Sequence, residues 1–424
     1  MPVDWLQVPL GEVCRIEIGG TPSRNVPRFW ADKHSGYPWL SIADLKASRV
    51  YDTAERITDA GVRNSNVKPI PANTPVMSFK LTIGRAAVAG VNMYSNEAIA
   101  AFHADSTVIA PGWLFYELPR AALRGISDTA VKGSTLNKAK LRKLPLELPP
   151  LPEQRQIAEI LDTLDEAIRK TEQIIAKLQQ VKQGLLHDLL TRGIDDNGEL
   201  RDPDRHPEQF KDSPLGRIPK GWEVGAAAEY CDRLTVGVVN SATHAYRESG
   251  VPFIRSQNVK PNRIETADLL FVSEAFNRQQ AKSVLRAGDV VIVRTGYPGT
   301  AAVVPETLDG ANCFSLVIAR PGSGLASEYL SQYLNSESCK AAIDRLHFGS
   351  AQHNFNVGEM RRLPLALPPP DEQMRILQHL NTYDLEVSLE KDELRKLRLL
   401  KSGLMEDLLT GRVRVTKLLE QAAE

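Results

Sequence analysis

The residues of this chain that could bind a metal or act as nucleophiles are chiefly its eight histidines and four cysteines. The histidines show no metal-ligand spacing with each other or with cysteine, and the sequence has no Cys-x-x-Cys pair. It also lacks a Gly-x-x-x-x-Gly-Lys phosphate loop, a Gly-x-Gly-x-x-Gly turn and a Gly-x-Ser-x-Gly nucleophile elbow. Carboxylates are plentiful, but none forms a recognisable pair at catalytic spacing. We therefore expect a binding protein rather than an enzyme, with no metal or cofactor of its own.

The cysteines and the apolar runs bear on the cellular compartment. Cys14, Cys231, Cys313 and Cys339 are isolated in the sequence, which is typical of reduced, structural thiols. We expect Cys14 and Cys231 to pack inside the protein. The first residues lack the basic start and apolar stretch of a signal peptide, and no apolar run approaches the ~18 residues of a transmembrane helix. We expect a cytoplasmic protein without a membrane segment.

Charge is balanced over the chain but not along it. The 424 residues include 52 basic and 52 acidic ones, so the formal net charge is zero, and the length predicts two to four domains. Residues 1–149 hold 18 Lys and Arg against 13 Asp and Glu, whereas residues 221–367 hold 14 of each. A basic first segment favours contact with phosphate groups, although solvated charged faces are common. Zero net charge therefore does not exclude a nucleic-acid partner.

The chain contains an internal duplication. Residues 144–157 read Leu-Pro-Leu-Glu-Leu-Pro-Pro-Leu-Pro-Glu-Gln-Arg-Gln-Ile and recur, displaced by 219 positions, as Leu-Pro-Leu-Ala-Leu-Pro-Pro-Pro-Asp-Glu-Gln-Met-Arg-Ile at 363–376. The same displacement maps 182–191 onto 401–410 without a gap. The rest of each half matches weakly and with a drifting offset. Each half is therefore one divergent module followed by one tightly matched segment.

The duplication divides the chain into five predicted segments. They are a first module (1–149), a first long helix (150–193), a connector (194–220), a second module (221–367), and a second long helix with a C-terminal tail (368–424). The modules contain short β-branched and aromatic runs broken by Gly and Pro, which predict mixed sheets with a few helices. The predicted fold class is α+β, with two mixed α/β globular domains, a pair of long antiparallel coiled-coil helices and a pseudo-twofold internal repeat.

Each matched segment shows the heptad pattern of a coiled coil. The a and d positions are apolar with four exceptions, which are Thr171, Lys182, Glu390 and Lys401. A simpler alternative, the core of an ordinary helix bundle, stays open because periodicity alone does not separate the two. We expect the apolar positions to form an interface between the helices or with a partner: Ile157, Leu161, Leu164, Ile168, Ile175, Leu178, Leu185, Leu189, Ile376, Leu380, Tyr383, Val387, Leu394, Leu397, Leu404 and Leu408.

Two variable modules, each followed by a helix that begins Leu-Pro-Pro-Leu-Pro-Glu-Gln or a close variant, resemble the DNA specificity subunit of type I restriction-modification systems. The resemblance covers essentially the whole chain. Its strongest signatures are residues 148–157, 185–191, 367–376 and 404–410, and the segment 210–222 is similar to the family's transition into its second module.

The resemblance implies a function and a set of partners. Each module would be a target-recognition domain that reads one half of a split, asymmetric sequence in double-stranded DNA. The paired helices would set the unread spacer and dock two copies of a methyltransferase subunit. S-adenosylmethionine, ATP and Mg²⁺ would be bound by that subunit and by a motor-nuclease restriction subunit. This chain would be non-catalytic, while the assembled complex would be an adenine-specific methyltransferase and an ATP-dependent endonuclease.

Under this resemblance, DNA contacts are expected in polar loops, where Arg, Lys, Asn and Gln can read base edges or bind phosphates. The candidates are Arg24, Arg28, Lys46, Lys80, Thr82 and Arg85 in the first module, and Arg255, Gln257, Asn258, Lys260, Arg294 and Tyr297 in the second. For any one of them, a solvated charge or a loop hydrogen bond is an equally open role. Asn137 and Asn356, which match by the 219 displacement, are expected to cap or brace the junction between module and helix.

Two other functions stay open at this point. One is a coiled-coil structural or assembly protein without DNA binding, and it predicts no salt-dependent binding to DNA. The other is a self-contained DNA-modifying enzyme with an unrecognised active site, and it predicts methyl transfer by the chain alone.

Overall fold

The structure, a computed structural model, describes residues 2–127, 136–346 and 354–421. It divides into two compact units. Unit 1 is Met1–Gln173 with Lys391–Glu424, and unit 2 is Ile174–Glu390. Each unit holds one divergent module and about half of each long helix, so the division between the units falls near the helix midpoints.

The helices of the described residues include the two long ones that the heptad pattern predicts. They are α1 (Leu10–Val13), α2 (Asp59–Arg63), α3 (Pro111–Ser127), α4 (Lys138–Arg142), α5 (Leu151–Thr191), α6 (Ala227–Tyr230), α7 (Glu274–Gln279), α8 (Ser327–Asn335), α9 (Glu337–Leu346), α10 (Val357–Arg362), α11 (Pro370–Leu409) and α12 (Thr416–Gln421). Gly193 and Gly411 follow α5 and α11 with φ of +63° and +69°, a conformation that glycine adopts without a Cβ clash.

The module of unit 1 is built on two sheets. Its strands are β1 (Leu6–Pro9), β2 (Cys14–Ile18), β3 (Trp30–Ala31), β4 (Tyr37–Leu40), β5 (Arg49–Val50), β6 (Glu55–Ile57), β7 (Pro75–Ser78), β8 (Ala86–Ala89), β9 (Tyr94–Ser95), β10 (Ile99–Ala104) and β11 (Pro145–Leu148). The larger sheet has the order β2-β10-β7-β8-β5 and the smaller one β3-β6-β4-β9, while β1 pairs with β11. The β5–β8 and β4–β9 pairs are parallel and the others antiparallel, which confirms the predicted mixed sheets.

The module of unit 2 repeats this plan. Its strands, with those of the connector, are β12 (Phe210–Ser213), β13 (Gly216–Pro219), β14 (Glu223–Ala226), β15 (Cys231–Val236), β16 (Tyr246–Arg247), β17 (Val251–Ile254), β18 (Val259–Lys260), β19 (Arg263–Ile264), β20 (Leu270–Val272), β21 (Val290–Val293), β22 (Ala301–Val303), β23 (Asn312–Cys313), β24 (Leu316–Pro321) and β25 (Pro364–Leu367). The sheet orders β15-β24-β21-β22 and β16-β20-β17-β23, and the β14–β25 pair, correspond to those of unit 1. The duplication is therefore one of fold as well as of sequence.

The matched Gln of each long helix explains part of the sequence identity between the repeats. In unit 1 the Gln154 carboxamide accepts from the backbone N–H of Ala110 (2.8 Å) and donates to the carbonyls of Val108 and Pro149. In unit 2 Gln373 makes the same three bonds, to the backbone of Ala326, Gly324 and Pro368. Both side chains are buried, so each must satisfy its polar atoms internally. This residue type therefore fastens each helix to its own module.

The asparagines at the module-to-helix junctions are caps, as predicted. The Asn137 side chain accepts from the N–H of Lys140 at the start of α4, and Asn356 accepts from the N–H of Glu359 at the start of α10. Both therefore satisfy a backbone donor that a helix start leaves without an intrahelical partner.

The cysteines expected to pack inside the protein are partly or fully enclosed. Cys14 is buried and Cys231 half-buried, and desolvation raises the pKa of each thiol to about 12. A thiol with so high a pKa is almost wholly protonated at neutral pH and is a poor nucleophile. Both cysteines therefore act as small apolar packing groups.

Candidate nucleic-acid interface

Several predicted DNA contacts of unit 1 meet at one end of its larger sheet. The register pairs Ile18 with Ala100, Ile99 with Ser78, and Met77 with Ala86, which brings together the end of β2, the start of β10, the end of β7 and the start of β8. We call this end the loop edge of unit 1, formed by loops 19–26, 79–85 and 96–98. It carries Arg24, Lys80, Thr82 and Arg85, and Lys46 precedes β5 toward the same edge.

Arg24 is held in place by its neighbours. Its guanidinium makes a bidentate contact with Glu55, one N–O distance being 3.0 Å, and lies 4.0 Å from the centroid of the Trp30 ring. The hydrogen bond to Glu55 raises the pKa of Arg24 above its usual value. About half of the side chain is exposed, so this planar donor group is oriented but still accessible.

Glu97 contributes a carboxylate to the loop edge of unit 1. Glu97 accepts from the Thr21 hydroxyl, and this bond holds the pKa of the carboxyl below its usual range, with Lys80 and Arg24 lowering it further. Two basic side chains from different loops are therefore near enough to lower the pKa of this one carboxyl. Such a group of cations is suited to phosphate oxygens.

The remaining candidates of unit 1 are exposed. Arg28, in a turn that leads to the smaller sheet, lies with its guanidinium carbon 5.7 Å from the centroid of the Phe29 ring. Lys46, Thr82 and Arg85 are also exposed, and the Thr82 carbonyl accepts from the buried Ser78 hydroxyl. That bond braces the loop backbone and leaves the outward side chains available.

Unit 2 has a corresponding loop edge. The register pairs Val236 with Val317, Val293 with Leu316, and Ile292 with Ala301, so loops 237–245, 294–300 and 314–315 share one end of the sheet. Arg294 and Tyr297 lie in the middle loop. Arg294 is half-buried and donates to the Ser315 hydroxyl (3.2 Å), whereas Tyr297 is 83% exposed.

Just beyond the segment 255–260, the Asn262 N–H donates to the Ala301 carbonyl at the start of β22. Gln257 is exposed, and Lys260 lies 3.9 Å from Glu265. Arg255 is half-buried and donates to the Asp268 carbonyl. These side chains keep part of their donor capacity at the surface.

Asn258 has a different role from the one predicted. Its side chain is 2% exposed, accepts from the N–H of Arg255, and lies within 3.5 Å of the carbonyls of Glu265 and Asp268. In unit 1 Asp44 does the same for the N–H of Ser41, at a displacement of 214. Asn258 therefore stabilises its own loop, and because it is buried it is not a base-reading residue. The sequence signal was present, because a residue three positions after the start of a short turn is a usual capping position.

Leu81 is a residue of the loop edge that the sequence reasoning missed. It is 92% exposed and has φ of +59°, in a loop where Lys80, Thr82 and Arg85 are predicted DNA contacts. A search limited to hydrogen-bonding residues passes over an apolar side chain. The pairing of this loop with its repeat could have drawn attention to it.

The predicted interface residues of the long helices are all buried or half-buried. Near the helix ends they merge with the module cores, since Ile157 and Leu161 share a core with Trp113 and Leu408 in unit 1. In unit 2 Leu189 and Ile376 pack in the core that contains Tyr329. The heptad residues therefore serve both expected roles. They form the seam, the apolar interface between the two helices, and near the helix ends they belong to the module cores.

Two of the polar residues at a and d positions, Lys182 and Lys401, form salt bridges between α5 and α11. In unit 1 the Lys401 ammonium lies 2.5 Å from Asp165, and in unit 2 the Lys182 ammonium lies 2.5 Å from Asp384. In unit 1 Arg398 pairs with Glu172 as well. From Asp165 to Glu172 the residue number rises on α5, while from Lys401 to Arg398 it falls on α11. The two helices are therefore antiparallel within unit 1.

A family described as the type I restriction modification DNA specificity domain matches residues 2–180 and 219–399. Each match takes in one module and most of the long helix that follows it. The chain belongs to this specificity-subunit family. The membership agrees with the duplicated α+β fold and the pair of long helices described above.

Relatives in the family match over much or nearly all of the chain. The specificity subunit of the type I restriction enzyme MjaVIII from Methanocaldococcus jannaschii is 23% identical over 432 residues, covering 99% of this chain and 95% of the relative. The putative MjaX specificity subunit of the same organism is 26% identical over 324 residues, covering 72% and 69%.

Solved structures share the fold. The S subunit of a type I restriction-modification system from M. genitalium is 14% identical with a TM-score of 0.56, covering 95% of this chain and 96% of that one. A chain from a study of complex assembly and conformational transition in the type I system is 18% identical with a TM-score of 0.58, covering 96% and 98%. At these identities the likeness concerns the fold alone.

Over residues 2–127, 136–346 and 354–421, no helix has the length and apolar character to cross a membrane. Over the same ranges, no group of three or more His, Cys, Asp and Glu side chains is arranged to hold a metal ion.

Proposed function

We propose that this chain is the sequence-specific DNA-binding subunit of a type I restriction-modification complex. The module of unit 1 reads one half of a bipartite, asymmetric target, and the module of unit 2 reads the other. The observation that carries the proposal is the repeated loop edge, where the same end of the same sheet bears different polar side chains. A shared scaffold with different donors is what the reading of two different half-sites requires.

The replacement of Ser41 by Arg255 illustrates the point. Both begin a short turn closed by the same capping bond, from Asp44 in unit 1 and Asn258 in unit 2. The backbone is therefore held alike, while the Ser41 hydroxyl donates to Asp44 (2.6 Å) and the half-buried Arg255 guanidinium donates to the Asp268 carbonyl. The same braced turn therefore carries side chains of different donor capacity in the two modules, without a change of fold.

The long helices supply a partner surface that occurs twice. Val181 in unit 2 and Leu400 in unit 1 are related by the 219 displacement and are 38% and 51% exposed. Exposed apolar side chains at equivalent positions favour two copies of one partner. We assign that partner as a methyltransferase subunit, which binds S-adenosylmethionine and methylates adenine.

The other roles are assigned to further subunits. A motor-nuclease restriction subunit uses ATP and Mg²⁺, whereas this chain catalyses nothing and works in the cytoplasm, where the DNA is. The helices set the spacer between the half-sites. Because the chain has no net charge, much of the phosphate-neutralising charge comes from the partner subunits.

The test is single-molecule methylome sequencing of a host that expresses the chain with its cognate methyltransferase subunit. We expect methyladenine in a bipartite motif. Exchange of residues 1–149 for those of another family member changes one half of the motif, and exchange of residues 221–367 changes the other. A contiguous motif, or a motif that neither exchange alters, would contradict the proposal.

The two alternative functions have their own readouts. A coiled-coil assembly protein gives no salt-dependent DNA binding even with the methyltransferase present. A self-contained enzyme transfers methyl groups from S-adenosylmethionine to DNA when the purified chain is incubated alone. We expect the opposite result in each experiment.

A further inference from the structure

Leu81 occupies a position that disfavours leucine in two ways. Its φ of +59° places a residue with a Cβ in the left-handed region, where steric contact with the following carbonyl is unfavourable. Its side chain is 92% exposed, so it gains almost no burial in return. A strained backbone with no compensating contact is typical of a residue kept for a function outside the fold.

The corresponding loop of unit 2 has the same backbone and again a large exposed side chain. The N–H of Gly84 donates to the Ser78 carbonyl, and that of Gly299 donates to the Val293 carbonyl, at a displacement of 215. With this displacement Leu81 is aligned with Gly296, whose φ is +86°, and Thr82 is aligned with Tyr297. Tyr297 is 83% exposed. Two loops of different sequence thus each project one large, weakly polar group.

The surroundings of these side chains are basic and polar. Lys80 and Arg85 flank Leu81 within its loop and are exposed, and Arg294 opens the loop of Tyr297. Cations at the base of a loop suit phosphates, whereas a leucine can neither donate nor accept a hydrogen bond. The apolar surfaces that DNA offers inside its grooves are the thymine methyl group and the faces of the base pairs.

We propose that Leu81 and Tyr297 are the apolar contacts through which the two loops engage base pairs, while the flanking basic residues hold phosphates. This inference rests on the proposed DNA-reading function and adds to it a specificity-determining residue in unit 1. The left-handed backbone at residue 81 or 296 shapes the tip that carries the side chain. Leu81 and Tyr297 differ because the two modules read different half-sites.

The principal experiment replaces Leu81 by glycine in the full chain, assembled with its methyltransferase. Glycine accepts the positive φ, so Leu81→Gly keeps or raises the midpoint of chemical unfolding. We expect methylation of the target to fall about tenfold, or one base of a single half-site to become degenerate, because an apolar contact to a base pair is lost. The other half-site is unchanged. Leu81→Met, which keeps an apolar side chain, retains most of the activity.

The matched control is Asn73→Gly. Asn73 is exposed with φ of +65° and lies at the opposite end of the same β7–β8 hairpin, where its N–H donates to the Ala89 carbonyl. The substitution relieves the same backbone conformation and leaves the methylation motif and rate unchanged. A second readout separates apolar from electrostatic contact. Lys80→Ala reduces the salt dependence of DNA binding, whereas Leu81→Gly lowers affinity with the salt dependence unaltered.

Failure of the inference and failure of the proposed function are distinguishable. If the unaltered complex yields a bipartite motif and Leu81→Gly changes neither the motif nor the methylation rate, the inference is wrong and the function stands. If the unaltered complex yields no bipartite motif, the proposed function fails and the inference fails with it.

Discussion

At the scale of single residues, two buried glutamates account for the Glu of the matched Glu-Gln motif. In unit 1 Glu153 is 1% exposed, and its carboxylate accepts two hydrogen bonds from the Arg414 guanidinium, of 2.7 and 2.8 Å. In unit 2 Glu372 is 3% exposed and forms a salt bridge with Arg201. Each arginine follows the end of the other long helix, so each pair joins the start of one helix to the chain that leaves its neighbour. Internal contacts therefore explain why this Glu is matched between the two repeats.

The glutamate–arginine pairs predict a large loss of stability. In Arg414→Ala the buried Glu153 carboxylate loses its ion-pair partner, and we expect the free energy of unfolding to fall by about 3–5 kcal/mol. Arg201→Ala has a similar effect through Glu372. Chemical denaturation of the full chain measures both. The control is Arg398→Ala, whose pair with Glu172 is exposed and is worth ~1 kcal/mol or less. Equal losses in Arg414→Ala and Arg398→Ala would falsify this role.

At the scale of elements, the seam lysines set the register of the helix pair. The displacement that relates Lys182 to Lys401 also relates Asp384 to Asp165, so the two salt bridges are equivalent by the repeat. A slip of one heptad moves a lysine about 10 Å along its helix and away from its carboxylate. An apolar seam accepts such a slip more readily, which is why polar seam residues specify register at a cost in stability.

Charge exchange in unit 2 tests this register. Lys182→Asp sets two carboxylates against each other, and we expect the free energy of unfolding to fall by about 1–3 kcal/mol. The double variant with Asp384→Lys regains most of that loss. Lys177→Asp, at an exposed position of the same helix, has little effect and is the control. If the double variant is no more stable than Lys182→Asp alone, the pair does not act as a register contact.

At the scale of the whole molecule, the helices act as a ruler under the proposed function. Insertion of one heptad after Gln173 and another before Lys391 preserves the a and d pattern of both helices. We expect the spacer of the methylation motif to change, by up to about three base pairs, because seven helical residues rise about 10 Å. Both half-sites stay as they were.

Methylome sequencing reads out this prediction, and insertion in only one helix is the control. A single insertion displaces the seam of one helix against the other, so the complex loses methylation altogether. A double insertion that changes both half-sites, or leaves the spacer as before, excludes the ruler role.

Much of the fold follows from patterns that repeat along the chain. The 219 displacement, the heptads and the alternation of short apolar runs with Gly and Pro predict two α+β modules and two long helices, all of which the structure has. The division into units does not follow. It depends on which helix halves pack together, and antiparallel pairing places residue 165 beside 401 in one unit and 182 beside 384 in the other.

The sequence by itself determined the family, the repeat and most of the loops that carry the candidate interface, because these are properties of residue order and spacing. Only the tertiary structure decided which loop side chains are exposed and free to contact DNA. Asn258 is buried and bonded to the backbone of its own loop. Arg24 is held by Glu55 and Trp30, whereas Leu81 is 92% exposed. The physical reason is that the exposure of a loop side chain depends on contacts with residues distant in sequence, and spacing along the chain does not record those contacts.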